Sequence, residues 1–350
     1  MKKLTQKLVL SVVTMALVVI ALGTSTFAWF TLTNSASVGP FEAQITAGEG
    51  IEVTLGTVDS NSVWYTVLPK EIIEAYIVAT YSDSFRFTDV TTQDGVTFQK
   101  YNWATSTLDN FTEGFITLPL TFRSRTQQDI VWSSAVLGGT SQTWTVNVGQ
   151  FTHNGIEVGT IPANKTIVVA AWTAARISVE GDLATKDVTD PENPVYNSVG
   201  NDAIVYQAPA AAGSTSSPIS AFNSTADLAA YNFTKDTAEF LADGVTANPT
   251  YNKYIIGTNA FGAGDYTLAA GKSLVFDTDP TLTLSPKTAV TALTANDAVM
   301  TLQTKVGDYY QNQLMVRVWI EGWDADAFDA LFNRVLSVQL TFGTKATPTV

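Results

Sequence analysis

The chain has 350 residues, no cysteine, one histidine, and a formal net charge of −13 from 32 acidic against 19 basic side chains. That balance weighs against a nucleic-acid partner, whose phosphates it would repel. The missing cysteines remove disulfides, thiol nucleophiles and a lipoprotein anchor. Charged residues make up only 15% of the chain, well below the roughly 25% of a typical soluble domain, and Thr, Ser, Asn, Ala and Gly fill the gap, as in β-rich proteins with hydroxyl-bearing outer faces.

The first 28 residues have the three parts of a secretory signal. Lys2, Lys3 and Lys7 are the basic start, Leu8 to Gly23 is an uncharged apolar run, and Thr26-Phe27-Ala28 places small residues before a cut. The pattern predicts cleavage after Ala28 by a signal peptidase, so that the membrane is met only through the leader; an uncleaved anchor over 8–32 is the alternative. Loss of the three lysines takes the formal charge from −13 to −16. The mature chain then begins Trp29-Phe30-Thr31-Leu32, two large aromatics at a free end.

From there period-two alternation dominates. Phe41, Ala43 and Ile45; Ile51, Val53 and Leu55; Ile116, Leu118, Leu120 and Phe122; Trp144, Val146 and Val148; and Leu336, Val338, Leu340 and Phe342 each alternate with polar residues. Such strands, with one face in a core and one in solvent, predict an all-β fold, an antiparallel β-sandwich with a few short helices. Pro69 predicts a helix through Lys70–Ile77, Asp236 with Glu239 a second, and Asp324 a third that Trp323 staples to Phe328. Between 181 and 262 the alternation weakens and prolines and small residues accumulate, which predicts a long insertion or small subdomain. The expected organisation is a leader 1–28, an N-terminal segment 29–47, sandwich strands over 48–180, the insertion 181–262, and closing strands with a short helix over 263–350. One internal echo is present: Ala175-Arg-Ile-Ser-Val-Glu-Gly181 is similar to Val316-Arg-Val-Trp-Ile-Glu-Gly322. It reads either as chance or as two strands side by side, each with an Arg–Glu pair on its outer face.

Little in the chain points to catalysis. His153 is the only candidate for a triad and sits in an expected turn; HExxH and phosphate-loop motifs are absent. Glu321, Asp324, Asp326 and Asp329 gather near Trp319 and Trp323, the residues a sugar would stack on, yet helix capping explains the acids more simply. No enzyme is expected. No cofactor is expected either, although the loop Asp187, Asp190, Glu192 is rich in the oxygen ligands that Ca²⁺ takes.

Residues 21–55 carry a further pattern: Leu22-Gly23-Thr24, then Thr26-Phe27-Ala28-Trp29-Phe30, a polar gap, Phe41, and a glycine-rich step before Ile51-Glu-Val-Thr-Leu55. This resembles the TasA/camelysin family and other proteins with a SipW-type signal peptide. The match covers about a tenth of the chain, and Arg317-Val-Trp-Ile-Glu-Gly-Trp-Asp324 is similar to the endings of larger proteins of that kind. The resemblance implies a jelly-roll sandwich that is secreted and assembles with copies of itself into extracellular or cell-surface filaments, as in a biofilm matrix. It implies that the N-terminal segment of one subunit completes a sheet of the next, with Trp29, Phe30, Leu32 and Phe41 as the donor segment and its hinge. A surface binding module for carbohydrate, stacking sugars on Trp319 or Trp323, is the alternative. The metallopeptidase label attached to some members does not fit a chain with one histidine.

Overall fold

Two alternating segments far apart in the sequence are neighbours in the fold. Phe41–Ala47 and Leu336–Lys345 lie side by side in one sheet, with Phe41 opposite Leu336 and Ala47 opposite Phe342. The computed structural model describes residues 41–82, 85–102, 107–145, 150–153, 156–160, 162, 164–187, 195–200, 202–209, 267–268, 270, 287–294, 298–322, 324 and 335–345, all within the unit Ala36–Val350.

The strands in chain order begin with β1 (Phe41–Ala47), β2 (Glu52–Leu55), β3 (Val67–Leu68), β4 (Asp89–Thr92), β5 (Phe98–Asn102), β6 (Thr107–Asn110), β7 (Ile116–Ser124) and β8 (Asp129–Gly139). There follow β9 (Gln142–Thr145), β10 (Gln150–His153), β11 (Ile156–Thr160), β12 (Thr166–Val169), β13 (Ala175–Glu180), β14 (Ala184–Asp187), β15 (Val195–Ser198) and β16 (Ile204–Gln207). The last are β17 (Thr267–Leu268), β18 (Ala298–Thr301), β19 (Thr304–Val306), β20 (Tyr309–Glu321) and β21 (Leu336–Lys345). Sheet one has the order β18-β8-β21-β1-β3. Sheet two is built on β20, which pairs with β13 on one side and β7 on the other; β16 extends it beyond β13, β2 beyond β7, and β4-β5-β6 leaves from the end of β20. β19 pairs with the start of β20, and three small ladders, β9 with β12, β10-β11-β17, and β14 with β15, complete the described strands.

The apolar half of each alternation meets in one core. Ala43, Ile45, Trp132, Leu137, Val338, Leu340 and Phe342 of sheet one are buried with Val53, Leu118, Leu120, Phe122, Ile177, Val179, Val316 and Val318 of sheet two. Aromatic rings bridge the layers: Phe122 and Phe342 have centroids 5.0 Å apart, and Trp132 meets Tyr206 edge-on at 6.0 Å. Burying a side chain of this size contributes on the order of 2–3 kcal/mol. The Pro69 expectation holds and extends: α1 spans Lys70–Tyr81 and buries Ile73 and Ile77, which share a face at i,i+4 spacing. Tyr81 Oη accepts the Thr117 N–H at 2.8 Å and lies 3.2 Å from the Thr117 carbonyl, tying the end of α1 to the start of β7.

One expectation is corrected. The sandwich is mixed rather than antiparallel, because β1 pairs with β21 in parallel, as does β4 with the end of β20. Parallel neighbours need a long crossover, and β1 and β21 have nearly the whole domain between them. Residues 41–47 are a strand of the chain's own sheet; residues 29–40 lie outside the described residues. Within the expected insertion, Ile204–Gln207 returns to pair with β13; residues 210–262, and the helices expected at Asp236 and after Asp324, lie outside the described residues.

Candidate functional site

The echoing segments are β13 and β20, and they are antiparallel neighbours. Arg176 faces Trp319, Ser178 faces Arg317, and Glu180 faces Met315; on the far side of β13, Arg176 faces Gln207. Alternation puts Arg176, Ser178 and Glu180 on one face with Arg317, Trp319 and Glu321. That face turns away from the core, so solvent is the simple expectation. It is covered instead. After pairing with β20, the chain from β4 turns at Asp94 and Gly95 and lays Phe98 over Trp319, edge-on at 5.1 Å, while Phe115 stacks on Phe98 at 4.0 Å. Val90, Val205 and Ala289 close this second apolar cluster.

The covering makes an unpartnered polar group beneath it costly, and most find a partner. Arg176, fully buried, donates Nη2 to Asp324 Oδ2 at 2.5 Å and Nη1 to the carbonyls of Ala175 and Thr173 at 2.9 and 3.2 Å. Trp319 Nε1 donates to Glu321 Oε2 at 2.9 Å. Arg317 Nη2 donates to Glu180 Oε2 at 2.8 Å, and Ser178 Oγ to the Gly95 carbonyl at 2.6 Å. Gln207 is buried with neither side-chain amide atom hydrogen-bonded among the described residues. Glu321 and Asp324 are buried, at 1% and 0% exposed, whereas the Glu180 side chain remains 32% exposed. The cluster works as a lock that fixes Asp324, and with it the chain leaving β20, against β13.

This burial corrects the stacking expectation for Trp319, which is 1% exposed and has Phe98 against its ring. It also corrects the outer-face Arg–Glu pairs: Arg317 reaches Glu180 on the other strand, and Arg176 takes Asp324 instead of a glutamate. Trp323 lies outside the described residues, as do Trp29, Phe30 and Leu32. Phe41 is the first residue of β1. Asp187 ends β14, whereas Asp190 and Glu192 fall outside; among the described residues no three acidic or histidine side chains form a metal-binding group. His153 ends β10, opposite Ile156 of β11.

Two surface features went unnoticed in the sequence. One is a stack on sheet two: the Arg123 guanidinium lies 4.1 Å from the Trp64 ring centroid and 4.3 Å from that of Tyr309, and its Nε donates to Glu52 Oε2 at 2.6 Å. Residues so far apart in sequence give no local signal of meeting. The other is the rim of sheet one. β18 pairs only with Asp129–Val131 of β8, and among the described residues no strand lies on that side of 132–139. At the opposite rim β3 pairs with β1 only at Ile45 and Thr46. Compared with known proteins, the chain matches no family model, no curated protein and no solved structure.

Proposed function

We propose that this chain is a secreted structural subunit of an extracellular or cell-surface filament, of the kind that builds a biofilm matrix, and that it assembles with copies of itself by donating its N-terminal strand. The observation that carries the reading is the rim of sheet one along β8. A strand edge of that length, without a strand partner among the described residues, is a template for another strand. Trp29–Ser37 has the length and the alternation to fill it, continuing the row that β18 begins. Docking would bury two aromatics that are otherwise at a free end and would add main-chain hydrogen bonds to the neighbour. Donor and acceptor are different surfaces, so the contact is head-to-tail and propagates as a fibre. The reading includes export through the leader and a mature protein that meets no nucleic acid and holds no membrane span.

The jelly-roll expectation belongs to the same proposal. Its support is the strand order: β1-β21-β8-β18 faces β7-β20-β13-β16, and the chain passes between the layers at β7 to β8, β8 to β13, β16 to β18, β18 to β20 and β20 to β21, much as in a double Greek-key winding. The parallel direction of β1 is the departure.

The test is negative-stain microscopy of the mature chain 29–350 beside its Trp29→Ala/Phe30→Ala variant. Filaments from the parent and none from the folded variant support strand donation. Monomers from both would sink it and leave a surface binding module. A truncation at residue 48 is unsuited to the purpose, since it would also remove the buried Ala43, Ile45 and Ala47 of β1.

A further inference from the structure

We infer that the outer face of sheet one is the surface through which two filaments of this chain associate side by side, copy against copy. The inference rests on the self-assembly reading above, but it uses the face of the sheet where strand donation uses the edge.

The register of sheet one fixes what this face presents. Ile45, Leu68 and Leu340 point inward and are buried, so the positions that alternate with them point outward. One outward row crosses four strands as Val67, Thr46, Thr341 and Ser134, and the next runs Gln44, Gln339 and Val136. The parallel pairing of β1 with β21 sets like beside like, threonine on threonine and glutamine on glutamine. Rows of like side chains make a regular surface on which an identical sheet can stack. Gln44, Gln339 and Ser134 are exposed, and Val67 and Val136, at opposite sides of the face, are 42% and 51% exposed.

Charge selects the occupant. Neither row holds a charged side chain; the nearest charged positions in these ladders are Glu42, opposite Ser337 at one end, and Lys345 opposite Asp129 at the other. The whole chain carries 32 acids against 19 bases. Copies therefore repel one another over much of their surface, and close approach favours a face without charge. Strand donation continues the same face. Residues 29–40 contain no charged side chain, and Thr31, Thr33 and Ser35 alternate with Phe30 and Leu32. A donated strand whose Phe30 and Leu32 turn to the core adds those hydroxyls to the outer rows.

Area sets the strength. Strands about 4.8 Å apart, with outward positions about 6.8 Å apart, give this face roughly 300–400 Å² per copy. A stable complex buries about 800 Å² per partner, so two monomers do not hold together by this face alone. In filaments the contact repeats at every subunit, and the repeats add by multivalency. Side-by-side association is thus expected of filaments and not of monomers.

The experiment uses the mature chain and its Gln339→Glu variant, which charges the face at an exposed position and leaves the β8 edge as it is. Assembled samples are spun at low speed to collect bundles, then at high speed to collect single filaments, at low and high NaCl, with filament widths read by negative stain. The expected result is a low-speed pellet about tenfold smaller for the variant at low salt, with total filament mass unchanged and the difference shrinking as salt screens the charges. Equal bundling at low salt, or parent filaments that stay single, overturns the inference and leaves strand donation intact. A parent that never assembles overturns both. Retention of the monomeric parent on neutral dextran, reduced in the variant while bundling is unchanged, gives the face to a neutral polysaccharide and contradicts a second copy.

Discussion

Arg317 on β20 reaches Glu180 on β13, Nη2 to Oε2 at 2.8 Å, across the ladder in which Arg317 itself faces Ser178. The bond is diagonal, and it joins the two segments whose sequences echo each other. Arg317 is 9% exposed, so its charge depends on this carboxylate. Glu180→Gln is therefore expected to lower the unfolding free energy by about 2 kcal/mol, the usual worth of a hydrogen bond to a charged group, measured by urea denaturation.

Arg176 and Asp324 are a more demanding pair because both are fully buried. Removing one partner takes this compensation away from a buried charge. Asp324→Ala is expected to cost about 3–5 kcal/mol, and the double change Arg176→Met/Asp324→Leu to cost much less, since the attraction of a buried pair barely exceeds its desolvation. A double change as damaging as the single one would contradict this account of the lock.

The turn that lays Phe98 over Trp319 depends on Gly95. Its φ is +80°, and an added Cβ would lie 3.0 Å from Ala203 Cβ and 3.1 Å from Val205 Cγ2, while its carbonyl accepts the Ser178 hydroxyl. Gly95→Ala meets both strain and crowding, and a loss of about 1–3 kcal/mol is expected. It should be accompanied by quenching or shift of the Trp319 emission as the cover lifts.

The same turn sets an acid limit. Burial raises the Asp94 carboxyl pKa, but the backbone N–H groups of Thr97 and Val96 and the hydroxyls of Thr97 and Thr92 outweigh it and hold the pKa below the ordinary 3.8. A carboxyl lowered in the folded state contributes stability that is present above its unfolded pKa and is lost as pH falls through the folded one. Acid titration of the parent should thus lose stability below about pH 4. Asp94→Asn should be less stable than the parent at neutral pH and should lose less of its stability over that acid range; parallel curves would contradict the assignment.

Much of the framework was legible because its strands are amphipathic. Phe41 to Ala47, Ile116 to Phe122 and Leu336 to Phe342 announce their core faces by alternation alone, and Pro69 announces α1. Direction was not legible, since the parallel pairing of β1 with β21 is decided by the path of the whole chain between them. The outer face of β13 and β20 misled for a different reason. Arg176, Arg317 and Glu321 look like solvent-facing positions, and only Phe98, Phe115 and Val90, supplied from a distant segment, turn them into buried ones. For the same reason Trp319 read as an exposed platform, whereas the half-exposed rings are Trp64 and Tyr309.

The central claim, that residues after Ala28 of one copy pair with the β8 edge of the next, is tested most directly by disulfide trapping. The chain has no cysteine of its own, so each crosslink reports a designed contact. Val136 is exposed at the middle of the edge. Val136→Cys is mixed with variants carrying a single cysteine scanned along positions 30–36, then oxidised under assembly conditions. Paired strands bring Cα atoms within about 5.5 Å, inside disulfide reach. The account predicts crosslinked heterodimers at alternate scanned positions in the filament fraction, abolished by Trp29→Ala/Phe30→Ala. Filaments whose subunits link at none of these positions, or a mature chain that stays monomeric, would contradict it.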